Sequence, residues 1–365
     1  MGAVQAKPLA LGAYIFAGGF TLGVRQHFQV IGHFEETPYG VDVFQRNHPD
    51  SYVSVGPKNW PVHHLKEELA RQERSLELVY GNPPCAAWSA LGRVVFQNDS
   101  AQWESDPRVT CTRIHFNLLE LLRPKVWIWE SVTAAWTRGR SLVEELAGRA
   151  AQLGYKTTVV LHDVANLPGG RQTRRRVFVT CHNIEIPWDL TLNERQLTAS
   201  EVLRDYQRVK PKVETPIRTT LPRDFLAQVP PGLMLRASRE KWIKKNPVIP
   251  GIGFAYHRVH PARPMRAVVG ATHVHPTEPR FLNIQELLYA TGYPVDYQLA
   301  GAPLAQGALI ARGVCPPAGA WIASQVKRGL DSGSRPVEDT RLMVLDAIHG
   351  PRATVHHAIQ QGDLR

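Results

Sequence analysis

The sequence has few cysteines, and their spacing fits neither a disulfide framework nor a zinc site. Four cysteines, Cys85, Cys111, Cys181 and Cys315, are scattered over 365 residues without a C-x-x-C pair. Small secreted domains and zinc modules are recognised by closely spaced cysteines. The sequence therefore argues against both classes and predicts a reducing compartment. The 15 histidines are also dispersed, so we expect no metal site.

Long apolar runs are missing as well. No stretch reaches the roughly 20 consecutive apolar residues that span a bilayer, and the N-terminus lacks the pattern of a secretory signal. We find no internal repeat in the chain. These absences predict a cytoplasmic protein without a membrane partner.

Acidic residues are in deficit. Lys and Arg together number 43 against 32 for Asp and Glu, which gives a formal net charge of +11. An excess of this size suits a polyanionic partner such as nucleic acid, although basic surfaces also serve solubility. Apolar residues make up 43% of the chain, which at this length predicts a large core in two lobes.

The stretch at residues 76–92 places a thiol directly after a predicted buried strand. An apolar run at residues 76–80 ends at the sequence GNPP, and Cys85 follows at once. Two prolines stiffen this loop, and catalytic groups of open α/β sheets collect at the carboxyl ends of strands. A lone Pro-Pro-Cys is more often a turn with a buried thiol, so the surrounding segments must decide.

Predicted strands and helices alternate around this stretch. A strand at residues 11–16 enters a Gly-rich turn at residues 17–23, a typical nucleotide-binding start because glycines let the backbone approach a ligand. A second strand at residues 29–34 ends at Glu35, and an acidic residue in this place commonly binds ribose hydroxyls. Further strands are predicted at residues 76–80, 126–129, 155–162 and 177–181, and helices at residues 63–74, 110–122 and 138–153.

In this order, the segments resemble the DNA cytosine-C5 methyltransferases from about residue 11 to about residue 325. The family's nucleophile loop, G-x-P-P-C-x-x-x-S-x-x-G, is matched by Gly81, Pro83, Pro84, Cys85, Ser89 and Gly92, with Ala86 where Gln is usual. The family's E-N-V signature is present as Glu130-Ser131-Val132. Its Q-x-R-x-R-V-F segment is matched by Gln172, Arg174, Arg176, Val177 and Phe178.

The resemblance implies an α/β, Rossmann-like S-adenosylmethionine-dependent methyltransferase fold with a smaller, irregular target-recognition domain. Cys85 would attack C6 of a flipped-out cytosine, helped by a lowered pKa. Glu130 would bond the N3/N4 edge, and Arg174 or Arg176 would hold O2 and a phosphate. The implied partner is double-stranded DNA, with contacts expected from Ser89, Gln172, Arg239 and Lys241.

The implied cofactor is S-adenosylmethionine, but its motifs depart from the family pattern. The Gly-rich loop is about two residues short, Tyr14 replaces an acidic residue, and Asn59 is the candidate substitute for a missing Asp. In the last motif, G-N-A-V-x-P, Arg312 stands at the Asn position. The cofactor-binding candidates are Phe16, Gly18, Glu35, Asn59, Pro83, Arg312 and Val314.

Arg312 suggests a different donor. A cation about 4 Å from a sulfonium would be repelled by several kcal/mol at an effective dielectric near 20, unless an anion compensates. A carboxylate on the transferred carbon would supply that anion through a bidentate bond. We therefore hypothesise carboxy-S-adenosylmethionine as donor and 5-carboxymethylcytosine as product. Simple methylation, with Arg312 turned outward, and loss of activity are the alternatives.

The predicted organisation has four parts. A catalytic and cofactor-binding domain covers residues 1–183, and a Pro-rich, charged target-recognition domain covers residues 184–263. Residues 264–330 return to the catalytic domain with a strand at 264–271 and a helix at 281–291. A polar tail, residues 331–365, carries one helix at 337–348. We expect a monomer in the cytoplasm of a bacterial or phage-infected cell. An RNA cytosine-C5 methyltransferase and a catalytically altered DNA-binding relative remain open alternatives.

Overall fold

The computed structural model describes residues 6–38, 40–89, 104, 106–193, 195–238 and 255–348, and the backbone of residues 354–356. The strands are β1 Leu9–Ala13, β2 Gln29–Glu35, β3 Tyr52–Val55, β4 Leu78–Gly81, β5 Val126–Val132, β6 Lys156–Asp163, β7 Gln172–Thr173, β8 Arg175–His182, β9 His257–Arg258, β10 Met265–Arg266, β11 His273–Val274, β12 Met343–Ala347 and β13 Thr354–His356.

The helices follow the strands in alternation through the first half of the chain. They are α1 Gly19–Val24, α2 Val41–Asn47, α3 Val62–Arg71, α4 Pro107–Leu122, α5 Ala134–Thr137, α6 Arg140–Gln152, α7 Ala199–Tyr206, α8 Arg223–Gln228, α9 Ile284–Thr291, α10 Pro303–Arg312 and α11 Pro316–Asp331. The predicted alternation is confirmed, with element ends displaced by a few residues. β1 ends earlier than predicted, and Tyr14, the next residue, adopts a φ of 53°.

A nine-stranded sheet in the order β13-β12-β6-β8-β5-β4-β1-β2-β3 forms the centre of the molecule. Its strands are parallel except β8, which is antiparallel to β5 and β6, and β13, which is antiparallel to β12. Helices cover both faces, so the central strands are apolar throughout, as buried parallel strands are. On β5, Trp127 and Trp129 enter one core cluster while Val126 and Ile128 enter the other. The predicted Rossmann-like α/β fold is confirmed.

A second lobe has its own apolar core. Apart from Ala17 and Val43, this core is built from residues between Ala199 and Ile310, on α7 to α10 and the segments between them. β10 joins the lobe to the sheet region by pairing with β7. The strand predicted at residues 264–271 is reduced to the two-residue strand β10, and the helix predicted at 281–291 begins only at Ile284.

The helix predicted at residues 337–348 is wrong. Met343–Ala347 forms β12, which pairs in parallel with β6 along residues 158–162. Leu342, Met343, Leu345 and Ala347 all tolerate a helix locally, but the edge of β6 offers unpaired backbone groups that the segment satisfies only as a strand. The tail beyond α11 therefore extends the central sheet. No helix in the described ranges is long and apolar enough to cross a membrane.

Two glycines of the Gly-rich turn serve packing between helices. A Cβ on Gly23 would lie 2.2 Å from the Ala320 nitrogen on α11, and a Cβ on Gly19 would lie 2.3 Å from the Val314 oxygen. These glycines were predicted to let the backbone approach a ligand. The structure instead shows that they let α1 approach α11 and the loop before it.

We predict that Gly23→Ala destabilises the protein by about 1–3 kcal/mol, since the backbone of α11 cannot move aside without repacking. Gly148 on α6 is the matched control because a Cβ there meets nothing within 4 Å. Gly148→Ala should stabilise the helix by up to about 1 kcal/mol. Urea unfolding of both variants measures the difference, and equal effects would contradict the proposed close approach.

Candidate functional site

The loop after β4 and the end of β5 lie side by side at the carboxyl edge of the sheet. β4 and β5 are parallel with Gly81 paired to Trp129, so Asn82 and Glu130 are the next residues on neighbouring strands. The main-chain nitrogen of Asn82 donates to the main-chain oxygen of Ala13 at 3.3 Å, and Pro83 is buried. Cys85 follows half-buried, and its carbonyl accepts from the nitrogens of Trp88 and Ser89 at 3.1 Å. The edge thus brings the predicted thiol and carboxyl together.

Glu130 is nearly inaccessible, with 3% of its surface exposed. Its Oε2 accepts from Asn82 Nδ2 at 2.5 Å, and its Oε1 lies 3.4 Å from Arg176 Nε. Burial raises the pKa of Glu130, although Arg176 and Arg174 nearby act in the opposite direction. A carboxyl group in this environment can carry a proton to a bound base.

The thiol of Cys85 does not have the lowered pKa that the sequence analysis expected. Burial raises the pKa of Cys85, the charge of Glu130 adds to the increase, and Arg176 and Arg174 oppose it. The neighbouring carboxylate and the loss of solvent therefore outweigh the two arginines. Neutralising Glu130 would remove one of the two causes that hold the thiol protonated.

Arg174 and Arg176 have different surroundings. Arg174 is buried and donates to the carbonyls of Val268, Ala311 and Gly313 at 2.8 to 3.2 Å, which ties the start of β8 to the end of α10. Arg176 is partly exposed and lies beside Glu130. Of the two predicted arginines, Arg176 is the one placed to reach a substrate, while Arg174 holds the closing segment in position.

Gln172 lies away from any surface that nucleic acid could reach. Its side chain is fully buried, Oε1 accepts from the Val268 nitrogen at 2.6 Å, and Nε2 donates to Cys315 Sγ at 3.5 Å. The predicted contact with nucleic acid has no exposed atom to make it. Gln172 instead joins β7 to the segments that follow β10 and α10, and Cys315 joins the same charged neighbourhood of Arg174, Arg176 and Glu130. Sequence reasoning missed Cys315 because a variable position of the motif carries it.

The family model "C-5 cytosine-specific DNA methylase" matches residues 13–328. The chain belongs to this family. The type II methyltransferase M.AgeI of Thalassovita gelatinovora is 30% identical over 172 residues, which are 45% of this chain and 37% of that protein. M1.HphI of Haemophilus parahaemolyticus is 23% identical over 331 residues, 85% of this chain and 84% of that protein.

Solved structures agree with the fold. A protein described as a DNA modification methyltransferase from an Escherichia coli prophage has a TM-score of 0.63 at 15% identity, with 89% of this chain and all of that chain covered. The DNMT2 of Spodoptera frugiperda has a TM-score of 0.58 at 12% identity, with 88% and 99% covered. At these identities the likeness concerns the fold of the methylase.

C-5 cytosine-specific DNA methylases use S-adenosylmethionine, and the end of β2 fits its ribose. Glu35 is buried there, and its Oε1 accepts from the Ile15 nitrogen at 2.6 Å. Burial raises the pKa of Glu35 to about 8, and the Ile15 bond acts in the opposite direction. Its Oε2 has no hydrogen-bond partner in the described part of the chain, so this oxygen can accept from a ribose hydroxyl. Phe16, with a φ of 51°, and Gly18, with a φ of 86°, form the adjacent turn.

The other cofactor candidates are placed less directly. Asn59 is exposed and donates to the Val55 carbonyl at 3.1 Å, so its amide closes its own turn. Val314 is buried behind Gly19. Arg312 is the last residue of α10 and is exposed. The charges that shift the pKa of Cys85 and Glu130 come from other arginines, Arg174 and Arg176.

A basic cavity lies where the second lobe meets β7. It has a volume of about 230 Å³ and is lined by Thr173, Gly232, His257, Val259, His260, Arg263, Pro264 and Arg266. Arg266 is paired with Thr173, one residue before Arg174. Among the predicted nucleic-acid contacts, Ser89 is half-buried in the turn after Cys85, and Arg239 and Lys241 lie outside the described residues. Sequence reasoning missed Arg263 and Arg266 because each is an isolated arginine.

The methylase should bind adenine nucleosides more tightly as the pH rises toward 8. Ribose hydroxyls donate to the ionised form of Glu35, whose pKa in the free protein is raised to about 8, so affinity should rise by up to about tenfold per pH unit below that value. Calorimetry with 5′-methylthioadenosine, which has no amino acid group to titrate, measures the slope. Glu35→Gln should bind with no such slope.

The same substitution has a ligand-independent readout. Because the folded-state pKa of Glu35 lies above its ordinary value of 4.5, the free protein should lose stability as the pH rises from about 4.5 to about 8. Glu35→Gln should remove that part of the loss. Identical pH profiles of stability and of binding in both proteins would contradict the placement of Glu35.

Proposed function

We propose that the protein transfers a methyl group to C5 of a cytosine in double-stranded DNA. The observation that carries this proposal is the pairing of a half-buried thiol, Cys85, with a buried, protonatable carboxyl, Glu130, at adjoining strand ends. Membership of the C-5 cytosine-specific DNA methylase family supports the reaction type.

The chemistry follows from the weakness of cytosine C5 as a nucleophile. The target base must first leave the helix stack to reach a buried site. The Cys85 sulfur then forms a bond to C6, and the electron pair displaced from the ring is accommodated at N3, where Glu130 supplies a proton. S-adenosylmethionine supplies the electrophilic methyl group to the activated C5. Loss of the C5 proton then lets the bond from sulfur to C6 break, which restores the thiolate.

The charges in the site support this order of events. Arg176 lies beside Glu130 and also lowers the pKa of Cys85. While Glu130 holds the proton that it will give to the base, the guanidinium has one carboxylate fewer to balance and favours the thiolate more. Proton transfer from Glu130 and attack by Cys85 are in this way coupled through Arg176.

The donor is proposed to be S-adenosylmethionine. The carboxymethyl hypothesis needs the Arg312 guanidinium next to the transferred group, and the exposed end of α10 gives it no support. Carboxy-S-adenosylmethionine is nevertheless tested as a second donor, because Arg312 stands where the family pattern has Asn.

The decisive experiment supplies the protein with duplex DNA or RNA and with either donor in separate tubes, followed by mass spectrometry of the nucleosides. We expect 5-methylcytosine from DNA with S-adenosylmethionine, and Cys85→Ser should lower the yield at least about 1000-fold. Cys181→Ala is the control, since Cys181 faces Trp127, away from the site edge. Arg312→Glu should leave the methyl product unchanged.

Other products would identify the alternatives. Modified RNA alone would favour the RNA enzyme. Carboxymethylcytosine that disappears in Arg312→Glu would restore the second donor. Absence of any product from any tube, with DNA still bound, would favour a binding protein and overturn the proposal.

The basic cavity is proposed to hold a phosphate of the DNA backbone. Arg263 and Arg266 are exposed there and form no ion pair with an acidic residue of the described ranges. The register of β10 with β7 puts Arg266 opposite Thr173, one residue before Arg174 and two before the start of β8. A phosphate in the cavity would therefore lie near the target nucleotide and fix the register of the strand.

Arg266→Ala should weaken DNA binding uniformly across sequences and flatten the dependence of log K on log salt by about 1, since one phosphate contact is lost. The control is Arg71→Ala, which removes the same charge from the last residue of α3, before the amino end of β4. This variant should leave the salt slope unchanged. Titration of duplex DNA at several salt concentrations measures both. An unchanged slope in Arg266→Ala would exclude the phosphate contact.

A further inference from the structure

The Gly-rich turn that follows β1 presents one accessible side chain. Among residues 9–21, Phe16 alone is not buried. Phe16 has a φ of 51°, a left-handed conformation that residues with a Cβ adopt only at an energetic cost. Such a conformation persists only where the surrounding contacts impose it. The contacts made by this turn therefore decide how Phe16 is presented to a ligand.

One of these contacts comes from the second lobe. Tyr297 is buried, and its hydroxyl donates to the main-chain oxygen of Ala17, the residue after Phe16. A Cβ on Gly18 would lie 2.8 Å from Tyr297 Oη, so the tyrosine packs directly against the turn. Ala17 itself belongs to the apolar core of the second lobe. A side chain 280 positions away thus completes the turn.

A second connection fixes the segment that carries Tyr297. Asn47, the last residue of α2, donates from Nδ2 to the Gln298 oxygen at 2.8 Å and accepts at Oδ1 from the Gln298 nitrogen at 3.0 Å. Its Nδ2 also donates to the Val43 oxygen at 2.8 Å. Both ends of this amide are therefore occupied, and the residue after Tyr297 is tied to α2 through its backbone.

The same turn leads to the carboxyl group that fits the cofactor's ribose. The Ile15 nitrogen donates to Glu35 Oε1 at 2.6 Å, and the Gly18 nitrogen donates to the Ile15 oxygen at 3.0 Å. Phe16 lies between these bonds and the bond from Tyr297 to Ala17. Without the tyrosine hydroxyl, one end of the turn would be released, and the left-handed Phe16 would have fewer contacts to hold it.

We propose that Tyr297 is a positioning residue of the cofactor site. Its hydroxyl holds the turn from the second lobe, so that Phe16 and Glu35 keep the arrangement that binds the cofactor. The inference rests on the proposed function, in which S-adenosylmethionine is the donor. It goes beyond that function because it makes the second lobe part of the cofactor site, in addition to any contact of this lobe with DNA.

The test removes one hydroxyl group and keeps the aromatic ring. Calorimetry measures the binding of S-adenosylhomocysteine, without DNA, to the wild type, to Tyr297→Phe and to the control Tyr206→Phe. Tyr206 lies on α7 of the same lobe and is also buried, and its hydroxyl bonds Glu214 instead of the turn. We expect Tyr297→Phe to bind about 3- to 10-fold more weakly, which is the effect of one hydrogen bond. Tyr206→Phe should bind as tightly as the wild type.

A second readout needs no ligand. Hydrogen exchange followed by mass spectrometry of a peptide that covers residues 15–20 reports on the turn in the free protein. The amide of Gly18, which donates to the Ile15 oxygen, should exchange faster in Tyr297→Phe than in the wild type. Tyr206→Phe should leave the exchange of this peptide unchanged, because the hydroxyl that it lacks has no contact with the turn.

The outcomes separate this inference from the proposed function. Equal affinities of the wild type and Tyr297→Phe, or an equal loss in both variants, would overturn the inference and leave the proposed function intact. A wild type that does not bind S-adenosylhomocysteine would overturn both. A wild type that binds it but yields no methylated DNA would overturn the proposed function, and the affinities would still decide the inference. If Tyr297→Phe fails to fold, Asn47→Ala replaces it, since this variant loses both bonds to Gln298. Wild-type affinity in Asn47→Ala would then refute the inference.

Discussion

The parallel register of β4 against β5 is the constraint on which the site depends. Gly81 is paired with Trp129 by backbone hydrogen bonds, so the chain leaves both strands at the same level of the sheet. The thiol loop and Glu130 meet there although 48 positions of sequence separate Asn82 from Glu130. Because backbone pairing sets this geometry, it is compatible with the replacement of individual motif residues, such as Ala86 and Ser131.

Burial makes this meeting chemically useful. Glu130 lies on a strand flanked by β4 and β8 and is desolvated, and one partly exposed guanidinium, that of Arg176, serves both it and Cys85. At rest the surroundings favour a protonated thiol, so the free protein is protected from adventitious reaction of its sulfur. In the proposed mechanism, the thiol becomes reactive only when the target base takes part in the exchange of protons and charge.

The sequence was sufficient for what strand ends and fixed motifs encode. Cys85, Glu130 and Arg176 could be predicted together because each is attached to a buried apolar run in the order of a known family. Gln172 and Arg174 belong to the same motif, yet their side chains are hydrogen-bonded to distant residues. Both bond Val268, which lies 96 positions from Gln172 and 94 positions from Arg174. Such long-range partners have no local signature. β12 escaped prediction for a related reason, because the pairing with β6 overrides a local pattern that also suits a helix.

The position of β12 has a consequence for the integrity of the whole sheet. Its five residues occupy the side of β6 that faces away from β8, so the backbone groups of β6 are paired on both sides. A chain truncated after α11 would leave that side open as a row of unsatisfied donors and acceptors. Such an edge invites pairing with another copy. The last strands, although remote from the thiol, thus cover backbone groups of β6 that would otherwise be unpaired.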